Sequence, residues 1–225
     1  MEKEEKRHTE EPERPVTVSP AVIKRLPRYF RYLREVIREG RLRISSGELS
    51  EKMNVTASQI RQDLNCFGEF GQQGYGYNVN YLYTKICEIL GVGEGYTAIV
   101  VGAGNLGRAL VRNPMFEKRG VDIASLFDVA PERIGQDVGG VPTRDMKELE
   151  AFCRENRVDI AVLTLPKEYA VETAKHLCDL GVKALWNFTG KVLDRLFPDT
   201  VVENVHIADS LMTLCYALHC REEML

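Results

Sequence analysis

The apolar positions change period along the chain. Ile23, Leu26, Phe30, Leu33 and Ile37 recur at helical spacing, predicting a helix that starts at Ser19-Pro20, buries this stripe and stops at Gly40. Ser45-Ser46-Gly47-Glu48-Leu49 carries the S-x-x-E start of a capped helix running to about residue 53. After the turn Asn54-Val55-Thr56, a second short helix over 59–67 turns Ile60, Leu64 and Phe67 inward, and Gly68 ends it. Two short helices joined by a tight turn form a helix-turn-helix pattern. Residues 79–90 make a linking helix, and Gly91-Val92-Gly93-Glu94-Gly95 reads as a hinge.

Beyond the hinge the pattern alternates between strand and helix. Residues 98–101 form a short β-branched run, as in a strand buried on both faces. Further strands are expected at 122–127, 159–163, 183–186 and 200–205, with helices at 145–156 and 167–181. The last helix, 206–218, is apolar almost all round, yet is shorter than the ~20 residues that span a bilayer. It therefore needs protein cover, which predicts a homodimer with exchanged C-terminal helices. The expected fold class is α/β: an N-terminal winged helix-turn-helix domain and a C-terminal Rossmann-type domain. The expected boundaries are a disordered tail at 1–15, the winged helix at 16–90, the dinucleotide domain at 91–205 and the exchanged helix at 206–225.

Charge sharpens that division. The 225 residues are 44% hydrophobic and 28% charged, as in a globular protein large enough for two small domains. Residues 16–86 carry a net charge of +5 and residues 87–225 one of −6, so only the first module suits a polyanion. The N-terminus lacks the apolar core of a secretory signal, and a cytoplasmic location is expected. The six cysteines show no C-x-x-C pair and no zinc-ligand spacing, and read as reduced thiols.

Two stretches carry chemistry. Gly102-Ala103-Gly104-Asn105-Leu106-Gly107 is a G-x-G-x-x-G directly after a strand and opening a helix. Its glycines allow a tight turn, close approach to a pyrophosphate and close helix–strand packing, with the pyrophosphate on the helix N-terminus. Asp128 ends the next strand, 21 residues past Gly107, where an acid holds the adenosine ribose. No arginine directly follows it to accept a 2′-phosphate, which favours NAD(H) over NADP(H). Thr164-Leu165-Pro166 and Asn187-Phe188-Thr189 lie at strand ends, where open parallel sheets bind ligands.

The second stretch is the short helix at 59–67. With Ile60, Leu64 and Phe67 inward, Gln59, Arg61, Gln62 and Asn65 face out, and such side chains make bidentate contacts to guanine and adenine edges. Ser45 and Ser46 at the preceding helix start, and Arg28 on the basic face of the first helix, join the DNA-facing set. Residues 69–79 are rich in Gly and Tyr, reading as a wing whose Gly74, Tyr75, Gly76 and Tyr77 enter a minor groove.

Taken together, these stretches resemble the Rex family of redox-sensing transcriptional repressors. Arg25-Leu26-Pro27, Ile44-Ser45-Ser46-Gly47-Glu48-Leu49, Gln59-Ile60-Arg61-Gln62-Asp63-Leu64 and Phe67-Gly68-Glu69-Phe70-Gly71 match its winged helix. The Gly-rich loop, Phe127-Asp128, Thr164-Leu165-Pro166, Asn187-Phe188 and Val202-Glu203-Asn204-Val205 match its NADH domain. The resemblance implies a homodimer that binds palindromic operator DNA and lets go when NADH is bound. A nicotinamide pocket with apolar walls, Ile207 of a second copy among them, would prefer neutral NADH to cationic NAD+.

Some positions depart from the family. Gln62 stands where the family carries a lysine. Some relatives switch through a Tyr in the dinucleotide domain, an Arg on the first helix and an Asp at the start of the last helix. Arg31 fits the Arg, but Asn113 stands at the Tyr and His206 at the Asp, with Asp209 one turn later. Two other classes compete: an NAD-dependent enzyme with an accessory domain, and a CoA- or nucleotide-binding module acting through protein partners. Against an enzyme, no proton relay follows the Gly-rich loop, since His176 lies mid-helix and His206 opens the apolar helix.

Overall fold

Ser19 caps the first helix by accepting the Ala21 N–H, and Pro20 occupies its first turn. The structure, a computed structural model, describes residues 18–68, 71–72 and 75–222. The expected tail at 1–15, Glu69-Phe70 and the wing position Gly74 lie outside them. The chain forms two compact units, one ending at Val92 and the other beginning at Gly93.

In the first unit, α1 (Pro20–Arg38) packs on α4 (Val79–Leu90). Its buried seam corrects the expected stripe. Leu26, Phe30 and Leu33 are buried as expected, but Val22, Tyr29 and Val36 are buried with them, whereas Ile23 is 41% exposed and Ile37 only half-buried. The buried face is thus turned from the expected one, and it takes Tyr29 inside in preference to the more apolar Ile23. α2 (Ser46–Met53) and α3 (Ala57–Asn65) are the two short helices; α3 starts and stops two residues earlier than expected. Three short antiparallel strands, β1 (Arg43–Ile44), β2 (Gly71–Gln72) and β3 (Gly76–Asn78), run in the order β1-β3-β2 and form the wing.

The second unit is built on a seven-stranded sheet. Its strands are β4 (Tyr96–Val101), β5 (Val121–Asp128), β6 (Asp137–Val138), β7 (Val141–Asp145), β8 (Ile160–Leu163), β9 (Ala184–Asn187) and β10 (Val201–Asn204). Their order is β10-β9-β8-β4-β5-β7-β6, with only the β6–β7 pair antiparallel. Strand order reverses between β4 and β8, so a crevice opens where their C-terminal ends diverge. α5 (Asn105–Val111) follows β4, α6 (Leu149–Glu155) precedes β8, and α7 (Ala170–Asp179) follows it.

Two expected helices are shorter than their sequence pattern. Residues 143–145 pair with β5 at the end of β7, and Asp145 then caps a 3-10 turn that leads into α6. The residues before α7 likewise form a 3-10 turn, Lys167–Tyr169. The β6–β7 hairpin was absent from the sequence pattern: two residues against five, with Pro142 between Val141 and Thr143, offer too few positions for a period to register.

α8 (Ile207–Glu222) ends the described chain. Its Ile207, Leu211, Met212, Leu214, Tyr216 and Leu218 are all exposed in the single chain, each by more than half of its surface. No helix among the described residues is long and apolar enough to cross a membrane.

Candidate functional site

The crevice between β4 and β8 holds a cavity of about 540 Å³. Val101, Gly102 and Gly104 line one side, Thr164, Leu165 and Pro166 another, and Phe127, Asp128 and Val129 the end of β5. Gly102 adopts φ +102°, and a Cβ there would lie 2.7 Å from the Thr164 carbonyl oxygen. At Gly107 a Cβ would lie 2.1 Å from the Gly102 carbonyl oxygen, so α5 can pack this close only on a glycine. Gly104 is different: a Cβ there would meet nothing within 4 Å, and no side chain caps the helix that follows it. The loop is therefore tight on its protein side and open on its cavity side.

Asp128 is buried, and its carboxylate accepts three protein donors. The Ala103 N–H lies 2.6 Å from Oδ2, the Ala130 N–H 2.8 Å from Oδ1, and Arg133 Nη1 3.1 Å from Oδ2. Burial works against ionisation, but these hydrogen bonds and the Arg133 charge outweigh it and hold the carboxyl below the ordinary carboxylate range. Asp128 thus fastens the Gly-rich loop to the end of β5 and keeps one of its roughly four acceptor positions open. Arg133, which lines the cavity and is partly exposed, was not anticipated. Its only sequence signal is a lone cation five residues past Asp128, brought back by the turn after β5.

The other expected cleft residues divide. Ala103 and Gly107 are buried beneath the loop, while Asn105 and Leu106 sit exposed at the start of α5. Asn187 is buried and fully engaged: its amide nitrogen donates to Asn204 and to the Lys191 carbonyl, and its oxygen accepts from Thr189. It organises the loop after β9 and does not line the cavity. Phe188 packs edge-on against Trp186. Ile207, expected to serve the pocket of a second copy, is exposed on α8 in the single chain. Met146, Tyr169 and Thr173, unanticipated, complete the wall.

On the first unit, Arg61, Gln62 and Asn65 are exposed on α3, and Arg61 donates to the Ser46 hydroxyl on α2 at 3.1 Å. Ser45 serves as cap, in a reciprocal capping box with Glu48. Gln59 departs from the fully outward position expected: it is half-buried and donates to Asp63 at 2.8 Å. Arg28 donates to the Met53 carbonyl, tying α1 to the end of α2. In the wing, Tyr75 is exposed and Arg43 stacks on it, its guanidinium 5.9 Å from the ring centre and donating to the Tyr75 carbonyl. Tyr77 is half-buried beside the core of this unit.

Comparison with known proteins gives this geometry relatives. The redox-sensing transcriptional repressor Rex of Thermoanaerobacter sp. (strain X514) is 50% identical over 206 residues, 91% of each chain. The Rex of Clostridium botulinum (strain Alaska E43 / Type E3) is 49% identical over 203 residues, 90% of this chain and 96% of that one. The chain belongs to the Rex family of redox-sensing transcriptional repressors. A family model for a DNA-binding protein N-terminus matches residues 17–65, and a CoA binding domain model matches residues 94–190. Among solved structures, the Rex-family repressor RSP in complex with β-NAD+ and operator DNA is 50% identical with a TM-score of 0.83. That match covers 92% of this chain and 95% of RSP. RSP in complex with β-NADH is 46% identical at the same TM-score, covering 92% and 97%. The expected family and α/β fold are thus borne out, and the relatives are named as repressors, not dehydrogenases.

The switch candidates are placed as follows. Arg31 is exposed on α1, its guanidinium 5.1 Å from the centre of the Tyr32 ring. Asn113 is exposed after α5 and accepts the Met115 N–H. His206 precedes α8, and its carbonyl accepts the N–H of exposed Asp209.

Proposed function

We propose that this chain represses transcription as a homodimer, binding palindromic operator DNA through its first unit and releasing it when NADH occupies the cleft of its second. The cleft carries the reading. An uncapped helix start opens over Gly104, and an ionised, buried Asp128 ends the next strand with an acceptor position to spare. These residues fit a dinucleotide, with the pyrophosphate over Gly104 and the adenosine ribose on Asp128. The winged unit supplies the DNA surface, with Arg61, Gln62 and Asn65 exposed on α3. RSP, half identical to this chain, was crystallised with operator DNA and β-NAD+, which supports both halves of the proposal.

NADH and NAD+ differ in the charge of the nicotinamide, so apolar surroundings for that ring favour the neutral form. The exposed apolar surface of α8 supplies such surroundings once a second copy covers it, and this is the basis for the homodimer. A ligand shifts the DNA-competent population only by its differential affinity for two states, and a near-complete switch needs ~10⁴-fold. Place of action is the cytoplasm, where operator DNA and the NAD(H) pool meet.

The test is fluorescence anisotropy of operator DNA with the full chain, titrated with NADH, NAD+, NADPH and CoA. Salt-sensitive binding reversed by NADH alone is expected. Release by CoA would favour the nucleotide-module reading, and indifference to all four would assign the cleft to another ligand. Turnover of NADH with a metabolite would restore the oxidoreductase.

A further inference from the structure

Helices α2 and α3 begin alike in sequence, yet their third residues behave differently. In α2 the cap is reciprocal: Ser45 accepts the Glu48 N–H, and Glu48 reaches back to the Ser45 N–H. In α3, Thr56 accepts the Gln59 N–H, the first half of the same device. The Gln59 side chain does not complete it. Its Nε2 turns forward one helical turn and donates to Asp63 Oδ1 at 2.8 Å.

Asp63 is fully buried and holds four hydrogen bonds. Arg25 donates through Nε to Oδ2 at 2.6 Å and through Nη2 to Oδ1 at 2.7 Å. The Tyr29 hydroxyl donates to Oδ2 at 3.0 Å, and Gln59 completes the set. Burial works against the charge, but these donors prevail and the carboxyl lies below the ordinary range. An ionised carboxylate only accepts. The orientation of the Gln59 amide is therefore dictated: Nε2 faces Asp63, and a flipped amide would set oxygen against oxygen.

We propose that Gln59 is a base-reading residue, held in a single amide orientation by Asp63, and that it selects adenine in each operator half-site. The inference rests on α3 being the recognition helix. The N-terminal residues of such a helix are those that meet base edges, and Gln59 is the third residue of α3. One amide hydrogen is engaged by Asp63, and adenine reading requires that it be the one trans to Oε1. The hydrogen cis to Oε1 and Oε1 itself remain, and that edge matches the N7 acceptor and N6 donor of adenine. Guanine presents two acceptors in the same place, so Oε1 meets O6 unfavourably. A free glutamine relieves that clash by other rotamers, whereas Gln59 gives up its bond to Asp63 to do so. Asp63 is thus a positioning residue, and Arg25 and Tyr29 fasten it to α1.

The experiment is selection from a randomised duplex library with the full-length protein, comparing wild type, Gln59→Ala and Asp63→Asn. Wild type is expected to enrich a palindrome with an adenine fixed at one position per half-site. Gln59→Ala should relax that position alone, lowering its preference about tenfold to a hundredfold, and the loss of one donor to buried Asp63 should lower the melting temperature without unfolding the domain. An asparagine amide both donates and accepts, so Asp63→Asn should admit guanine at the same position. Should Asp63→Asn fail to fold, Gln59→Ala still decides. An unchanged preference in Gln59→Ala, or uniform weakening at every position, overturns the inference while leaving operator binding intact. No enrichment by wild type overturns the DNA-binding reading and this inference with it.

Discussion

The Thr164 hydroxyl, at the C-terminal end of β8, donates to the carbonyl of Gly102 at 2.8 Å, across the point where strand order reverses. The same Gly102 oxygen is the atom a Cβ on Gly107 would strike. One carbonyl therefore fixes three things: the turn after β4, the approach of α5, and the wall of the cleft opposite Asp128.

Gly107→Ala tests this directly. The added methyl would strike the Gly102 carbonyl oxygen at 2.1 Å and the Thr164 hydroxyl at 2.8 Å, and overpacking of this kind costs about 1–3 kcal/mol. The expected outcome is a lower melting temperature and NADH affinity reduced at least tenfold, measured by quenching or energy transfer from the nucleotide. Operator binding should survive and respond only at correspondingly higher NADH concentrations.

In the proposed cofactor site, Asp128 and Arg133 are expected to set which dinucleotide enters. Asp128→Ala removes the ribose acceptor and the repulsion against a 2′-phosphate, and it releases Arg133, now a free cation in the cavity. We expect NADH affinity to fall and the NADPH-to-NADH preference to rise at least tenfold by competitive titration. Adding Arg133→Ala should abolish the gain in NADPH. An equal loss of both nucleotides in Asp128→Ala would assign Asp128 only to holding the Ala103 and Ala130 N–H groups.

Acid should act on the first unit through Asp63. Its folded pKa lies below that of the unfolded chain, so its stabilisation is complete above about pH 3.9 and is lost as pH falls through the lower folded value. Asp63→Asn, which leaves Arg25 without its carboxylate, is expected to cost about 3 kcal/mol or more at neutral pH. The difference in melting temperature between wild type and this variant should shrink on acidification below pH 4. A difference independent of pH would exclude an ionised Asp63.

The apolar surface of α8 predicts assembly. Leu211→Asp and Leu214→Asp introduce charge on surfaces that are 59% and 65% exposed in the single chain, so neither harms the isolated fold. Sedimentation should show a dimer for wild type and a monomer for the double variant, with concentration-dependent melting only in the former.

Much of this was legible in sequence because it is local. The strand, glycines and helix at 96–111 follow one another directly, and Asp128 lies one strand away. The all-round apolarity of α8 is a property of its own residues. What escaped depends on distant partners. Asp63 lies three residues past Ile60, on its inward side, and a buried aspartate demands a donor, but nothing in the sequence says that Arg25 and Tyr29 are it. Tyr29 displaced Ile23 from the seam because α4, not hydropathy, sets the angle of α1. Arg133 joins the cleft only after the chain turns back beyond β5. Asn187 was expected at the ligand because it ends a strand, yet its partners are Thr189, Lys191 and Asn204.

The saturated carboxylate of Asp63 also bears on how such a regulator diverges. With every acceptor position taken from inside the fold, Asp63 cannot be altered without disturbing α1, and Gln59 takes its orientation from it. Arg61, Gln62 and Asn65 stand clear of the core. If α3 reads the operator as proposed, changes of target sequence would run through those three positions. Regulators descended from this frame would share one letter of their half-site and differ in the rest, a heritable spelling rule imposed by a single buried charge.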